Sequence, residues 1–171
     1  AMIYVLAAAV SIPIWMYIGK RFGKVHVWMV AVGIGVVGCL AMFFVGKGQI
    51  YLMGALELFR GFGSSAATIL IPAMTADVID YDEFHTGKRR EAQFGALLTL
   101  IPKFVAIVSG ALPLAILGWV GYDPAAGEIN ETTHFAIRFL YSILPFTFHA
   151  ICLILLYFYP LSAEVHAAIR E

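Results

Sequence analysis

Five long apolar runs, at 1–18, 25–46, 50–76, 92–120 and 135–159, take up most of the sequence and constrain its fold more than anything else in it. A run of about 18 or more apolar residues with few charges can cross a hydrocarbon core of roughly 30 Å as a helix. Inside lipid every backbone N–H and C=O needs an internal partner, which leaves only helices or closed barrels. No run alternates apolar and polar residues with period two, so a barrel is not expected. The expected fold class is all-α: a polytopic membrane helix bundle of five spans. It forms a single partial bundle over 1–171, with a tail at 160–171. Composition agrees, with 61% hydrophobic and 13% charged residues and a formal charge of zero. A soluble domain is roughly 45–50% apolar and about 25% charged. These values exclude a soluble enzyme domain, a disordered chain, and a nucleic-acid binder, which needs a basic surplus. The lipid bilayer is the first partner implied.

Cys39 and Cys152 sit in separate apolar runs and suggest neither a disulfide framework nor a metal site. The sequence opens inside hydrophobic residues, and its first charges, Lys20, Arg21 and Lys24, follow the run. A signal peptide has the reverse order. The expectation is a fragment from the interior of a longer membrane protein.

Lys and Arg counts orient the spans. With the first and third connections and the tail on one side, that side holds seven: Lys20, Arg21, Lys24, Lys88, Arg89, Arg90 and Arg170. The other side holds two, Lys47 and Arg138. The first residue is therefore expected outside and the tail in the cytoplasm. On the outer side, Asn130-Glu131-Thr132 has the pattern of an N-glycosylation acceptor, relevant only in a eukaryotic host.

Pro13, Pro72, Pro102, Pro113 and Pro145 fall within the runs, together with many glycines. Small residues let membrane helices approach closely; kinked, glycine-rich helices also line the cavities of secondary transporters. Gly33, Gly35 and Gly38 match the dinucleotide-binding spacing, but no strand precedes them and no acid follows at the required distance. They are expected to be packing glycines.

Ionisable groups inside a span are functional candidates. Counted from the run edges at about 1.5 Å per residue, Lys103, Arg60 and His149 all lie about 15–18 Å deep, near the midplane. Glu57 is one turn shallower than Arg60 and shares its helix face at i, i+3, so the two are expected to pair. Lys103 has no partner in its own span, and its side chain is too short to snorkel to either surface. It must meet an acid on another helix, line a wet cavity, or bind a polar or anionic ligand. Glu57 cannot serve both cations, so further carboxylates are expected from residues outside this sequence.

Asp77, Asp80 and Glu83 recur at i+3 at the C-terminal end of the third span, where the helix dipole disfavours acids. A compensating ion-pair network is expected there, with Lys20, Arg21, Arg89 and Arg90 as its bases and Glu91 as a further acid, and Gly87 as the helix stop. Two other classes stay open. Asp77, Asp80, Asp82 and Glu83 could hold Mg²⁺ for a membrane prenyl- or phosphatidyl-transferase, although no second acidic cluster faces them. The chain could also be a structural membrane subunit, which would leave Lys103 without a purpose.

The pattern Ala76, Asp77, Asp80-Tyr81, Glu83-Phe84, Arg89 and Glu91, then Lys103, Gly118, Gly121-Tyr122 and Pro124, resembles the C-terminal half of the glycoside–pentoside–hexuronide:cation symporters, a melibiose-permease-like group in the major facilitator superfamily. Leu156-Tyr157-Phe158 is a weaker echo. Arg21-Phe22-Gly23-Lys24 is similar to the superfamily's loop motif, with Lys20 where an acid usually stands. The resemblance implies a two-bundle transporter of a bacterial inner (plasma) membrane, with these spans as helices 8–12, five of the six in its second half. It implies cation-coupled symport of a sugar-like solute by alternating access, with Lys103 and Thr99 in the central cavity. No cofactor is implied beyond a coupling cation, Na⁺ or H⁺, whose carboxylate ligands lie on the N-terminal half, the implied partner. Lysolipid carriers occur in the same family, so the solute class stays open.

Overall fold

The computed structural model describes residues 2–46, 48–123 and 130–160. Lys47, Glu128 and the tail from 161 onward, including Arg170, lie outside them. The described residues form α1 (Met2–Phe22), α2 (Lys24–Phe43), α3 (Ile50–Thr86), α4 (Glu91–Trp119), α5 (Glu131–Arg138) and α6 (Leu144–Tyr157). A π-helical turn, Phe139–Ile143, joins α5 to α6, so that Glu131–Tyr157 acts as one span. Among the described residues, five helices are long and apolar enough to cross a membrane. The protein is an integral, multi-pass, all-α membrane protein.

The helix α3 is the hub, packing against α1 on one flank and α2 on another, while α2 also carries the π turn and α6. Trp15, Val27, Ala31, Ala66 and Leu70 form the centre of this packing. Polar side chains fasten α1 to α3: Ser11 and Ser65 share a hydrogen bond of 2.6 Å, and Trp15 Nε1 donates to the Phe62 carbonyl at 2.7 Å. Elsewhere the helices turn large apolar side chains outward, including Val5, Leu58, Leu114 and Leu155. That is the proper arrangement when the solvent is lipid.

Two departures from the run boundaries matter. The charged stretch after 76 belongs to the helix: α3 continues to Thr86 and stops at Gly87, as expected, where a φ of 65° suits a left-handed cap and the N–H reaches the Glu83 carbonyl at 2.8 Å. Nothing before Gly87 breaks a helix, and hydropathy alone does not register a helix that has left the lipid. At 37 residues, α3 is about 55 Å long against a core of roughly 30 Å. The second departure is in the last span. Pro145 lacks the N–H that would bond the Tyr141 carbonyl, and the helix widens there, with Leu144 N–H donating to Phe139 O. Pro13, Pro72, Pro102 and Pro113, by contrast, sit inside continuous helices.

The fourth helix stands apart. It touches α3 and α5 only slightly, and none of its residues is buried.

Candidate functional site

The middle of α3 holds the expected pair. Arg60 Nη1 donates to Glu57 Oε1 at 3.2 Å, one turn away on the same face. Glu57 is only 7% exposed, so its charge depends on its partners. The π turn supplies a second one: the Tyr141 hydroxyl donates to the same carboxylate oxygen. The Arg60 guanidinium lies over the Tyr141 ring, 5.3 Å from its centroid. Next to Tyr141, Ser142 is buried and donates to the Cys39 carbonyl at 2.5 Å. The widened turn thus aims two successive polar side chains at two different helices. Tyr141 and Ser142 were not foreseen from sequence. The signal available was Pro145 four residues beyond a mid-span tyrosine.

His149 lies one turn further along α6. Its Nδ1 is 2.8 Å from the Pro145 carbonyl. A carbonyl only accepts, so Nδ1 carries the hydrogen of this contact and Nε2 is left for another partner. The glycines of α2 explain how His149 and Arg60 fit. A methyl at Gly38 would lie 2.5 Å from Arg60 Cγ, and one at Gly35 would collide with the His149 ring. The dinucleotide-like spacing therefore does serve packing, and the groups it admits are polar. Gly33 meets nothing. Arg60 and His149 both line a cleft of about 260 Å³ among α1, α2, α3 and α6.

Lys103 and Thr99 lie elsewhere. Both are on α4, exposed, and outside the walls of this cleft. Thr99 Oγ1 donates back to Gly95 O at 2.9 Å. Lys103 has neither a hydrogen bond nor an ion pair among the described residues.

Where α3 projects, a charged network forms. Lys24 Nζ reaches both carboxylate oxygens of Asp77 at 2.7 Å and the Ala73 carbonyl at 3.2 Å. Arg90 grips Asp82 with two N–H groups, Nε at 2.8 Å. Arg89 bridges Glu83 and Glu91, each at 3.1 Å. The hydrogen bond to Glu91, then the charge of Glu83, pushes Arg89 above its ordinary pKa, and Asp82 does the same for Arg90. Asp80 is half-buried on the same helix.

The join between the first and third connections thus runs through Lys24 and not through Lys20 or Arg21. Those two are exposed and make no ion pair among the described residues; Arg21 lies over the Phe22 ring at 5.7 Å. The reason is azimuth. Gly19 is the last-turn position of α1 that meets α3, at Leu70, and each following residue is rotated by about 100°. With Asp77, Asp82 and Glu83 committed to bases, the acidic cluster is poorly placed to hold Mg²⁺, and no group of three or more metal-ligating side chains gathers among the described residues.

Over residues 1–163 the chain matches the family described as MFS/sugar transport protein. An uncharacterized symporter of Synechocystis is 32% identical over 172 aligned residues, covering 96% of this chain and 31% of the relative. The uncharacterized symporter YjmB of Bacillus subtilis is 30% identical over 153 residues, 89% of this chain and 33% of its own. A glucuronide carrier protein homolog of Escherichia coli is 25% identical over 152 residues, with the same coverages of 89% and 33%. The chain spans about a third of the length of these curated relatives.

Proposed function

Because the chain belongs to the MFS/sugar transport protein family, we propose that it forms part of a secondary active transporter that moves a glycoside-like polar solute by cation-coupled symport and alternating access. Membership points to a transporter and not to an enzyme, and several relatives are named symporters. The glucuronide carrier homolog supports a sugar-like solute.

The observation that carries the reading is the state of Lys103. It lies twelve residues after Glu91, about 18 Å along α4 and so at mid-membrane depth. It is exposed on a helix that buries nothing against its own bundle. An amine in that position requires water, an acid or a ligand beside it. Thr99, one turn earlier, shares its face. Both would border the passage between this bundle and a partner bundle, the N-terminal half of the same transporter. The coupling cation, Na⁺ or H⁺, would take its carboxylates from that half, since Glu57 is already engaged by Arg60 and Tyr141. The network at Lys24, Asp77, Asp82, Glu83, Arg89, Arg90 and Glu91 would face the cytoplasm of a bacterial inner membrane. Its pairs would close one state of the access cycle and open in the other.

The test is uptake by the intact transporter in vesicles, with sugars screened while Na⁺ and H⁺ gradients are varied separately. Lys103→Ala should abolish coupled uptake and leave insertion and thermal stability unchanged. Normal uptake by that variant overturns the assignment.

A further inference from the structure

We infer that the cleft among α1, α2, α3 and α6 is a binding site for a neutral, bicyclic aromatic alcohol of naphthol size, which reaches it from the lipid past Trp28. The site lies inside this bundle, away from Lys103, and takes a ligand of a different class from the transported solute.

Size and wall chemistry point to an aromatic. Apolar cavities of about 150 Å³ stay dry and take up benzene. At about 260 Å³, this cleft has room for a second fused ring. Its walls are mostly apolar: Ala31, Gly35, Gly63 and Ala67 keep them flat, and Trp28 and Phe148 add two aromatic side chains. Flat walls beside aromatic rings suit a planar ligand.

The charges point to a neutral one. Arg60 reaches the cleft wall, but its guanidinium is already held by Glu57, Tyr141 and Cys39. An ionised ligand would have to take Arg60 from these partners or stay uncompensated in a low-dielectric site. A neutral ligand disturbs none of them. What the cleft leaves open is hydrogen bonding. His149 uses Nδ1 on the Pro145 carbonyl, and its Nε2 has no partner among the described residues. The Tyr4 hydroxyl and the Trp28 indole N–H, on two further wall residues, have none there either. A hydroxyl both donates and accepts. One ligand O–H therefore matches Nε2 of the uncharged ring on one side and one of these two donors on the other.

Trp28 also gives the route. It lines a second cleft of about 240 Å³ between α3 and α4, almost wholly apolar, with Ile71, Met74, Leu97 and Ile101 among its walls. The helix α4 touches α3 only slightly and buries no residue. A lipid-dissolved molecule enters such a space without leaving an apolar medium. The Trp28 side chain is the wall common to both clefts, so turning one ring aside joins them.

Equilibrium dialysis of radiolabelled 2-naphthol against the protein in lipid nanodiscs tests the site, with empty nanodiscs subtracting what dissolves in lipid. The expected result is one saturable site per chain, filled below about 1 mM. Naphthalene, which lacks the hydroxyl, should bind about tenfold more weakly. The charged 2-naphthoate should be weakened at least as much. His149→Leu should bring 2-naphthol down to the level of naphthalene and leave naphthalene unchanged, which also shows that the cleft persists in the variant. Gly35→Ala places a methyl 2.4 Å from His149 Cδ2; it drives the ring into the cleft and should weaken both probes. In stopped-flow fluorescence, Trp28→Phe should let 2-naphthol both enter and leave several-fold faster, because the partition is smaller. No saturable binding above empty nanodiscs, naphthalene or 2-naphthoate binding as tightly as 2-naphthol, 2-naphthol unaffected by His149→Leu, or unchanged rates in Trp28→Phe would each overturn the proposal.

Discussion

Arg60 and Lys103 are two cations at similar depth, and the molecule treats them in opposite ways. Arg60 has a carboxylate three residues earlier, a tyrosine ring beneath it and a glycine opposite. Its side chain is 14% exposed. Lys103 has none of these and stands exposed on a helix with no buried residue. A charge whose counter-ion lies within its own helix is complete when the helix forms. A charge without one depends on what lies beyond its own helix, whether water, an acid or a ligand. The contrast separates a cation that the bundle itself pairs from one that it leaves exposed.

That separation can be broken by experiment. Arg60→Met strands Glu57 in a buried site and should cost about 3–5 kcal/mol. Thermal denaturation in detergent would show it, and the double variant with Glu57→Gln should recover much of the loss. Lys103→Ala should leave the same melting curve unmoved while uptake disappears; a large fall in melting temperature would erase the contrast. Tyr141→Phe removes one of two donors to Glu57 and should cost about 1–3 kcal/mol by the same measurement. The smallest effect belongs to the polar end. Lys24→Gln should cost at most about 1 kcal/mol, and less in high salt, because the pair is partly exposed. A larger loss would make that bridge part of the scaffold.

The spans were legible because length and apolarity are local properties and lipid allows few alternatives. The Glu57–Arg60 pair was legible for the same reason, since i, i+3 spacing fixes a shared face. Tyr141 was not, because its role depends on a widened turn and on which helix lies opposite. The choice of Lys24 over Lys20 and Arg21 was hidden as well: spacing along a connection places a charge at an end of the bundle but does not give its rotation about the axis. The end of α3 was legible from Gly87 and from the i+3 spacing of Asp77, Asp80 and Glu83, although hydropathy marks only where a helix leaves lipid. The packing use of Gly35 and Gly38 could be read from their setting, but the polar groups they admit come from 22 and 114 residues further along the chain.

The unbroken length of α3 gives the molecule mechanical leverage. It meets α2 closely at Gly63, where an added methyl would lie 2.8 Å from the Ala31 carbonyl, and Glu83 sits twenty residues beyond that pivot, about 30 Å away. A tilt of about 10° about the pivot would swing Glu83 by about 5 Å while displacing Arg60, one turn from it, by less than about 1 Å. A motion too small to disturb the buried pair is thus large enough to pull apart charges at the far end of the rod.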